Sequence, residues 1–415
     1  MIPYPYQSKL SIDAVEILRK YAMVYLAMEE RTGKTFTALL IAEKVNTPNV
    51  LVITKKKALP GWEEHFEALD LKHNYELTNY HQVWKCTGSY DLVIIDEAHN
   101  YISSYPKIGA NSTRLAELRR ANKPNQNIYD NVKRVCKGKP IIYLSATPYA
   151  QGPQLLFHQF SISSWSPWTK HGNFYSWFKM FGKVYTIKVQ GREINQYDKA
   201  DSELILSSCE HLFISKTRTE LGFEHEPTDE LHTIRLSNKT MALYNELVEH
   251  QIVYLPGHKE PLVCDTVAKL RASMHMLEGG VAKIEDEYII LKNKEKIDFI
   301  LQVFGDNEQL VIMYNYKAEL TKLKAVFKKA ELLQATSYAE GVDLHKYKNL
   351  VIYSQDFSTA RHTQRRARQA NKNRSTPITV HYLLVEKAIS QQVYKTVSVN
   401  KKNFVDSVFE REHLI

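Results

Sequence analysis

Short apolar runs rich in β-branched residues recur along the chain at Val50–Thr54, Leu92–Ile95 and Ile141–Leu144, and again at Leu310–Tyr314 and Leu350–Tyr353. Between them lie stretches with helical spacing, such as Phe36–Lys44. Strands that alternate with helices predict parallel sheets, whose strands are apolar throughout because both faces are covered. Residues 158–290 carry longer amphipathic and aromatic stretches, including Phe174–Phe181 and Met241–Gln251, with fewer buried-strand signals. The pattern therefore predicts an α/β lobe over residues 1–157, a mostly helical insertion and linker over 158–290, and a second α/β lobe over 291–415.

Length supports more than one core, because 415 residues exceed the roughly 100–200 that one domain ordinarily holds. With 44% apolar and 24% charged residues and no Pro, Gly or Ser tract, nearly all of the chain is expected to fold. Cys86, Cys136, Cys209 and Cys264 stand far apart and form neither a CxxC metal clip nor a disulfide framework, so four reduced thiols in a cytoplasm are expected. The opening MIPYPYQSKL has no basic stretch followed by an apolar core, and no apolar run is long enough to span a bilayer.

Charge adds a partner class. The formal net charge is +9 with a pI near 9.0, a balance that favours a polyanion. It is unevenly placed: residues 114–139 hold eight Lys or Arg against two acids, and residues 361–374 hold six basic residues and no acid. Solvated faces would account for either run as well as a binding surface does.

The residues with the sharpest chemistry lie in the first lobe. Thr32-Gly33-Lys34-Thr35 follows the apolar segment Met23–Ala27 and precedes a helical pattern. Strand, loop and helix in that order let backbone N–H groups and a helix N-terminus cradle phosphate, with Lys34 reaching the β- and γ-phosphates and Thr35 holding Mg²⁺. The full GxxxxGK[ST] pattern would need a glycine where Met28 stands. Further on, Asp91–Ile95 ends in Asp96-Glu97-Ala98-His99, two adjacent carboxylates at the C-terminal end of a buried strand. Asp96 would hold the Mg²⁺ through water, and Glu97 would orient and deprotonate an attacking water. Ser145-Ala146-Thr147-Pro148 follows Ile141–Leu144, where small hydroxyls can sense a phosphate site and relay its state.

GKT, DEAH and SATP in this order resemble motifs one, two and three of superfamily 2 helicases and translocases, and the detail looks most like the SWI/SNF-type branch, in a compact phage or bacterial form. Tyr6-Gln7 resembles the family's adenine-reading Gln segment, and Ala27–Thr35 resembles its ADEMGLGKT loop with Met28 and Arg31 as departures. Thr54 through Trp62, Asn79-Tyr80-His81 and Gln151–Leu156 resemble segments that line the DNA path. In the second lobe Val311–Tyr314 looks like motif four, Glu340-Gly341-Val342-Asp343-Leu344 like motif five, and Leu350–Phe357 like the strand leading into motif six. That last motif is Gln364-Arg365-Arg366-Ala367-Arg368-Gln369, in which Arg365 and Arg368 share a helical face and match the family's paired arginines.

The resemblance implies two RecA-like parallel-sheet lobes with helical insertions, ATP and Mg²⁺ as cofactors, and DNA in duplex, fork or junction form as partner. Gln7, Thr32, Gly33, Lys34, Thr35, Gly341 and Asp343 would bind nucleotide. Ser145, Ala146, Thr147 and Gln364 would couple it to movement, and Arg365 and Arg368 would act as arginine fingers beside Asp96 and Glu97. Lys55, Lys56, Arg114 and Lys346 are candidate backbone contacts. The expected activity is ATP-driven translocation or unwinding in bacterial or phage replication, recombination or branch migration, by a chain that works as a monomer. An RNA helicase, or a nucleic-acid clamp that binds ATP without cycling, are the alternatives.

Overall fold

The computed structural model describes residues 2–45, 47–103, 126–149, 152–189, 192–197, 199–225, 227–335, 344, 347–367, 372 and 378–399. The chain forms two compact units, Met1–Gly222 and Phe223–Ile415.

The first unit is built on β1 (Met23–Met28), β2 (Asn49–Thr54), β3 (Asn74–Asn79), β4 (Leu92–Asp96), β5 (Ile141–Leu144) and β8 (Phe213–Lys216), with β6 (Tyr185–Val189) and β7 (Arg192–Gln196) as a separate hairpin. The six strands run parallel in the order β3-β2-β4-β5-β1-β8. Val93, Ile94 and Ile95 of β4 and all of β5 are fully enclosed, as an uninterrupted apolar run requires. Helices α1 (Pro5–Tyr21) and α2 (Lys34–Val45) flank this sheet, with Leu10, Ala14 and Leu18 of α1 and Leu39, Ile41 and Ala42 of α2 buried.

The second unit has a five-stranded parallel sheet. Its strands are β9 (Pro227–Ile234), β14 (Leu310–Tyr314), β15 (Glu331–Gln334), β16 (Asn349–Ile352) and β17 (Ile378–Val385), in the order β15-β14-β16-β17-β9. Two antiparallel pairs accompany it, β10 (Ile252–Tyr254) with β11 (Pro261–Val263) and β12 (Val281–Ile284) with β13 (Glu287–Ile290). Both units thus have the α/β, parallel-sheet architecture of RecA-like lobes.

The middle segment departs from expectation. Residues 158–290 are no unit of their own, because the boundary falls between Gly222 and Phe223. Beside helices such as Asn238–His250 and Val267–Glu278 they contain the strands β6 through β13. The aromatic residues that made the segment look like an insertion are core: Phe160, Trp168, Trp177, Phe178 and Phe181 pack with Tyr25 and Tyr143 of the first sheet. Trp177 and Phe181 stack at 4.9 Å, and Phe157 lies 4.9 Å from Trp177. Burying rings of this size against the sheet outweighs any tendency to stand apart. Among the described residues no helix is long and apolar enough to cross a membrane, and the four cysteines are free and buried.

Candidate nucleotide site

The loop after β1 turns through two left-handed residues. Gly33 has φ +75°, and Arg31, standing where the resembled loop has glycine, has φ +65°. Left-handed backbone costs a side-chain-bearing residue roughly 1–2 kcal/mol, so Arg31 keeps the loop's shape at an energetic cost. Several bonds oppose that strain. Tyr6 donates its hydroxyl to the Thr32 carbonyl at 2.9 Å, Thr32 Oγ1 to the Glu29 carbonyl at 2.7 Å, and Thr37 Oγ1 to the Gly33 carbonyl at 3.0 Å. Gln7 lies over the loop, its Nε2 at 3.5 Å from the Gly33 carbonyl and its Oε1 accepting from Tyr4 N at 2.8 Å. A Cβ at Gly33 would stand 2.2 Å from Gln7 Nε2, so this close approach admits only glycine without a shift.

Lys34 opens α2 and turns back into the loop, donating Nζ to the carbonyls of Met28 at 2.8 Å and Glu29 at 2.9 Å. Thr35 follows in the first helical turn, where backbone N–H groups lack intrahelical acceptors and the dipole favours an anion.

Strand register brings the acid pair and the hydroxyl turn to the same sheet edge. Leu26 pairs with Leu144 and Leu144 with Asp96, so the residues after β1, β5 and β4 emerge side by side. Glu97 N donates to the Leu144 carbonyl at 2.8 Å and Ser145 N to the Leu26 carbonyl at 3.2 Å. Carboxyl ends of parallel strands are where ligands of such sheets bind.

Asp96 accepts from Thr54 Oγ1 at 2.7 Å and Trp62 Nε1 at 3.3 Å, both on Oδ2, while its carbonyl accepts from the Tyr80 hydroxyl at 2.6 Å. Enclosure by protein, then the adjacent Glu97 charge, push its carboxyl above the usual carboxylate range, against the Thr54 and Trp62 bonds and the Lys55 charge. Two carboxylates crowded in this way suit a divalent cation, which would relieve their repulsion. Glu97 itself has φ +55°, a left-handed conformation that aims a side chain off the strand line.

His99 joins the two segments. Its Nδ1 lies 2.9 Å from Ser145 Oγ and 3.3 Å from Glu97 Oε2, and its Nε2 lies 3.5 Å from Thr147 Oγ1. Thr147 N donates to Ser145 Oγ at 3.0 Å. His99 therefore touches both Glu97 and the turn 145–147, of which Ala146 is the middle residue.

Several of these contacts were not foreseen. Thr54, Trp62 and Tyr80, from segments expected on a DNA path, surround Asp96, and Lys55 is 8% exposed with its charge acting on the same carboxyl. Arg218 was missed altogether. It is buried, donates its backbone N to Glu29 Oε2 at 2.7 Å and Nη1 to the Glu30 carbonyl at 3.3 Å, and pairs with both carboxylates. Only the pairing of β8 with β1, Met28 opposite Lys216, places it against the phosphate loop.

The second unit is described in part. Arg365 lies in the helix Thr359–Arg366 and donates Nη2 to Asp356 Oδ2 at 3.0 Å, with 3% of its side chain exposed. One of its guanidinium nitrogens is thus engaged within its own unit. Arg366 pairs with Asp229 at 2.6 Å and bonds the Pro227 carbonyl. Gln364 lies in the same helix, while Gly341, Asp343, Arg368, Arg114 and Lys346 lie outside the described residues.

A cavity of about 630 Å³ in the first unit is lined by Lys133, Arg134 and Lys137 with the hydroxyls of Ser161, Ser163 and Thr169. It takes up Lys133, Arg134 and Lys137 of the basic run 114–139, but not Lys139.

No family model and no curated protein matches the chain. Among solved structures, the Sulfolobus solfataricus SWI2/SNF2 ATPase core in complex with dsDNA is similar at 14% identity and a TM-score of 0.41, over 96% of this chain and 91% of that one. The Sulfolobus solfataricus SWI2/SNF2 ATPase core domain is similar at 13% identity and a TM-score of 0.41, over 98% of this chain and 92% of that one. A likeness of that degree adds nothing to the chemistry, which rests on the residues above.

Proposed function

We propose that the protein is an ATP-driven motor on DNA whose hydrolytic site is the carboxyl edge of the first sheet. The observation that carries this reading is the convergence there of the Lys34 loop, the Asp96–Glu97 pair and the Ser145–Thr147 turn, the last two joined through His99.

Lys34 exchanges its two carbonyl partners for phosphate oxygens, and the first turn of α2 adds backbone donors. Gln7 and Thr32 complete the nucleotide contacts. Thr35 and Asp96 would hold Mg²⁺, which when bound neutralises phosphate charge. Glu97 orients the attacking water and takes its proton at a carboxylate oxygen as the terminal phosphoryl bond breaks. The altered charge at Glu97 reaches Ser145 and Thr147 through His99, and Gln364 extends the relay. Arg368 supplies the second-unit cation that turnover needs, with Gly341 and Asp343 as further nucleotide contacts. Arg365, held by Asp356, positions the helix that leads to it.

DNA is the proposed partner because the basic runs and the Lys133–Arg134–Lys137 groove suit a phosphate backbone, which a motor must grip without reading sequence. Bacterial or phage replication, recombination or branch migration is the proposed setting. ATP turnover measured with single-stranded DNA, duplex, forks, four-way junctions and RNA, alongside triplex displacement and strand unwinding, tests the reading. Stimulation by duplex or branched DNA with triplex displacement is expected. Stimulation by RNA alone would replace the reading with an RNA helicase.

A further inference from the structure

Outside the nucleotide site, three ligating side chains meet on the second sheet. Glu230 and His232 are two apart in β9 and so share one face, and His381 of β17 stands directly opposite Glu230 in the parallel register. His232 Nε2 lies 3.0 Å from His381 Nδ1 and 3.6 Å from Glu230 Oε1, and His381 Nδ1 lies 3.4 Å from Glu230 Oε2. Among the described residues this is the one group of three or more such side chains whose ligand atoms all fall within 4.8 Å of one another.

These separations have a chemical meaning. Ligand atoms bound about 2.0–2.1 Å from a tetrahedral Zn²⁺ stand about 3.3 Å apart, close to the imidazole–imidazole separation and to the distance from each imidazole to its nearer Glu230 oxygen. Two imidazoles and a carboxylate are also the donor set that zinc takes with a fourth position left to water. The surroundings hold the rings in place: Phe299 lies 4.9 Å from the His232 ring and Phe304 4.7 Å from the His381 ring. Both phenylalanines come from the helix Glu295–Val303 and its C-cap, which wall off one side. Glu230 is the exposed member, so the triangle is reachable from solvent.

We propose that Glu230, His232 and His381 form a binding site for one divalent transition-metal ion of the zinc type, with water as fourth ligand. The ion displaces the proton shared by the two imidazole nitrogens and clamps β9 to β17. Since β9 begins just after the boundary between the units and is one of the two edge strands of its sheet, the clamp fixes a strand that has a strand neighbour on one side only. This site is separate in chemistry from the oxygen ligands proposed for Mg²⁺ at Thr35 and Asp96.

The test is titration of the full chain with Zn²⁺ against a chromophoric chelator, with excess Mg²⁺ present to fill all-oxygen sites, and with Co²⁺ as a spectroscopic probe. One equivalent of Zn²⁺, visible Co²⁺ bands of tetrahedral intensity and a raised calorimetric melting temperature are expected. Glu230→Gln, an exposed and nearly isosteric change, should weaken binding by more than about tenfold without altering the metal-free melting temperature, and His232→Gln should weaken it further. Absence of stoichiometric binding, or wild-type affinity in both Glu230→Gln and His232→Gln, overturns the proposal.

Discussion

Gly33→Ala probes the phosphate loop through its most constrained position. At φ +75° a residue with a Cβ pays roughly 1–2 kcal/mol. The new methyl would also stand 2.2 Å from Gln7 Nε2 and so push the Gln7 amide from its place. That amide accepts from Tyr4 N at 2.8 Å, a bond worth about 1 kcal/mol. The expected total is about 2–3 kcal/mol of lost stability in the first unit. All five tryptophans, Trp62, Trp84, Trp165, Trp168 and Trp177, lie in that unit, so intrinsic fluorescence during urea unfolding reports it selectively. Repeating the substitution in a Gln7→Ala background separates the two parts. There the backbone cost should persist, and the Gln7 part, about 1 kcal/mol, should vanish as a coupling energy. A total below about 0.5 kcal/mol, or strict additivity with Gln7→Ala, would refute the packing of Gln7 on the loop.

Three other outcomes are expected. Thr54→Val removes the 2.7 Å bond to Asp96, worth about 1.5–3 kcal/mol for a charged acceptor, and should raise the Mg²⁺ concentration needed for half-maximal turnover by roughly tenfold or more; an unchanged requirement counts against Asp96 as ligand. Arg368→Ala should leave fluorescent-nucleotide binding intact and abolish turnover, and equal activity to wild type would remove Arg368 from the chemistry. Burial pushes His158 and His362 down to about 4 and His275 to about 3, against an ordinary value of 6.5. Between those values the unfolded chain binds more protons, so the stability is full above 6.5 and is lost as pH falls through the window, by up to about 1.4 kcal/mol per unit for each histidine. Calorimetric melting temperatures that stay level from about pH 7 to about pH 4.5 would contradict this.

The parallel core strands were legible because an all-apolar run has few other uses. Val50–Thr54, Leu92–Ile95, Ile141–Leu144 and Leu310–Tyr314 each fall within a strand at nearly the expected bounds. Edge strands were not legible. The edge strand β3, NYELTN, and β9, PTDELHTI, carry polar residues that a partly solvated strand tolerates and a pattern reader takes for loop. The small hairpins of the middle segment escaped for the same reason. At the site, Lys34, Asp96 and Glu97 stood out because their neighbours in sequence share their strand ends. Thr54, Trp62, Tyr80 and Arg218 reach the same edge only through the order of strands in the sheet, which no local pattern encodes. Arg31 is the reverse case: an irregular letter in the loop whose backbone nonetheless takes up the glycine-like angle.

The central claim is that the carboxyl edge of the first sheet hydrolyses ATP in response to DNA. Steady-state phosphate release by the purified chain, with and without duplex DNA, tests it most directly when wild type is run beside Glu97→Gln and Lys34→Ala. The account predicts DNA-stimulated release by wild type, nucleotide binding without release by Glu97→Gln, and neither binding nor release by Lys34→Ala. Wild-type release no greater than that of Glu97→Gln in the presence of DNA would contradict it.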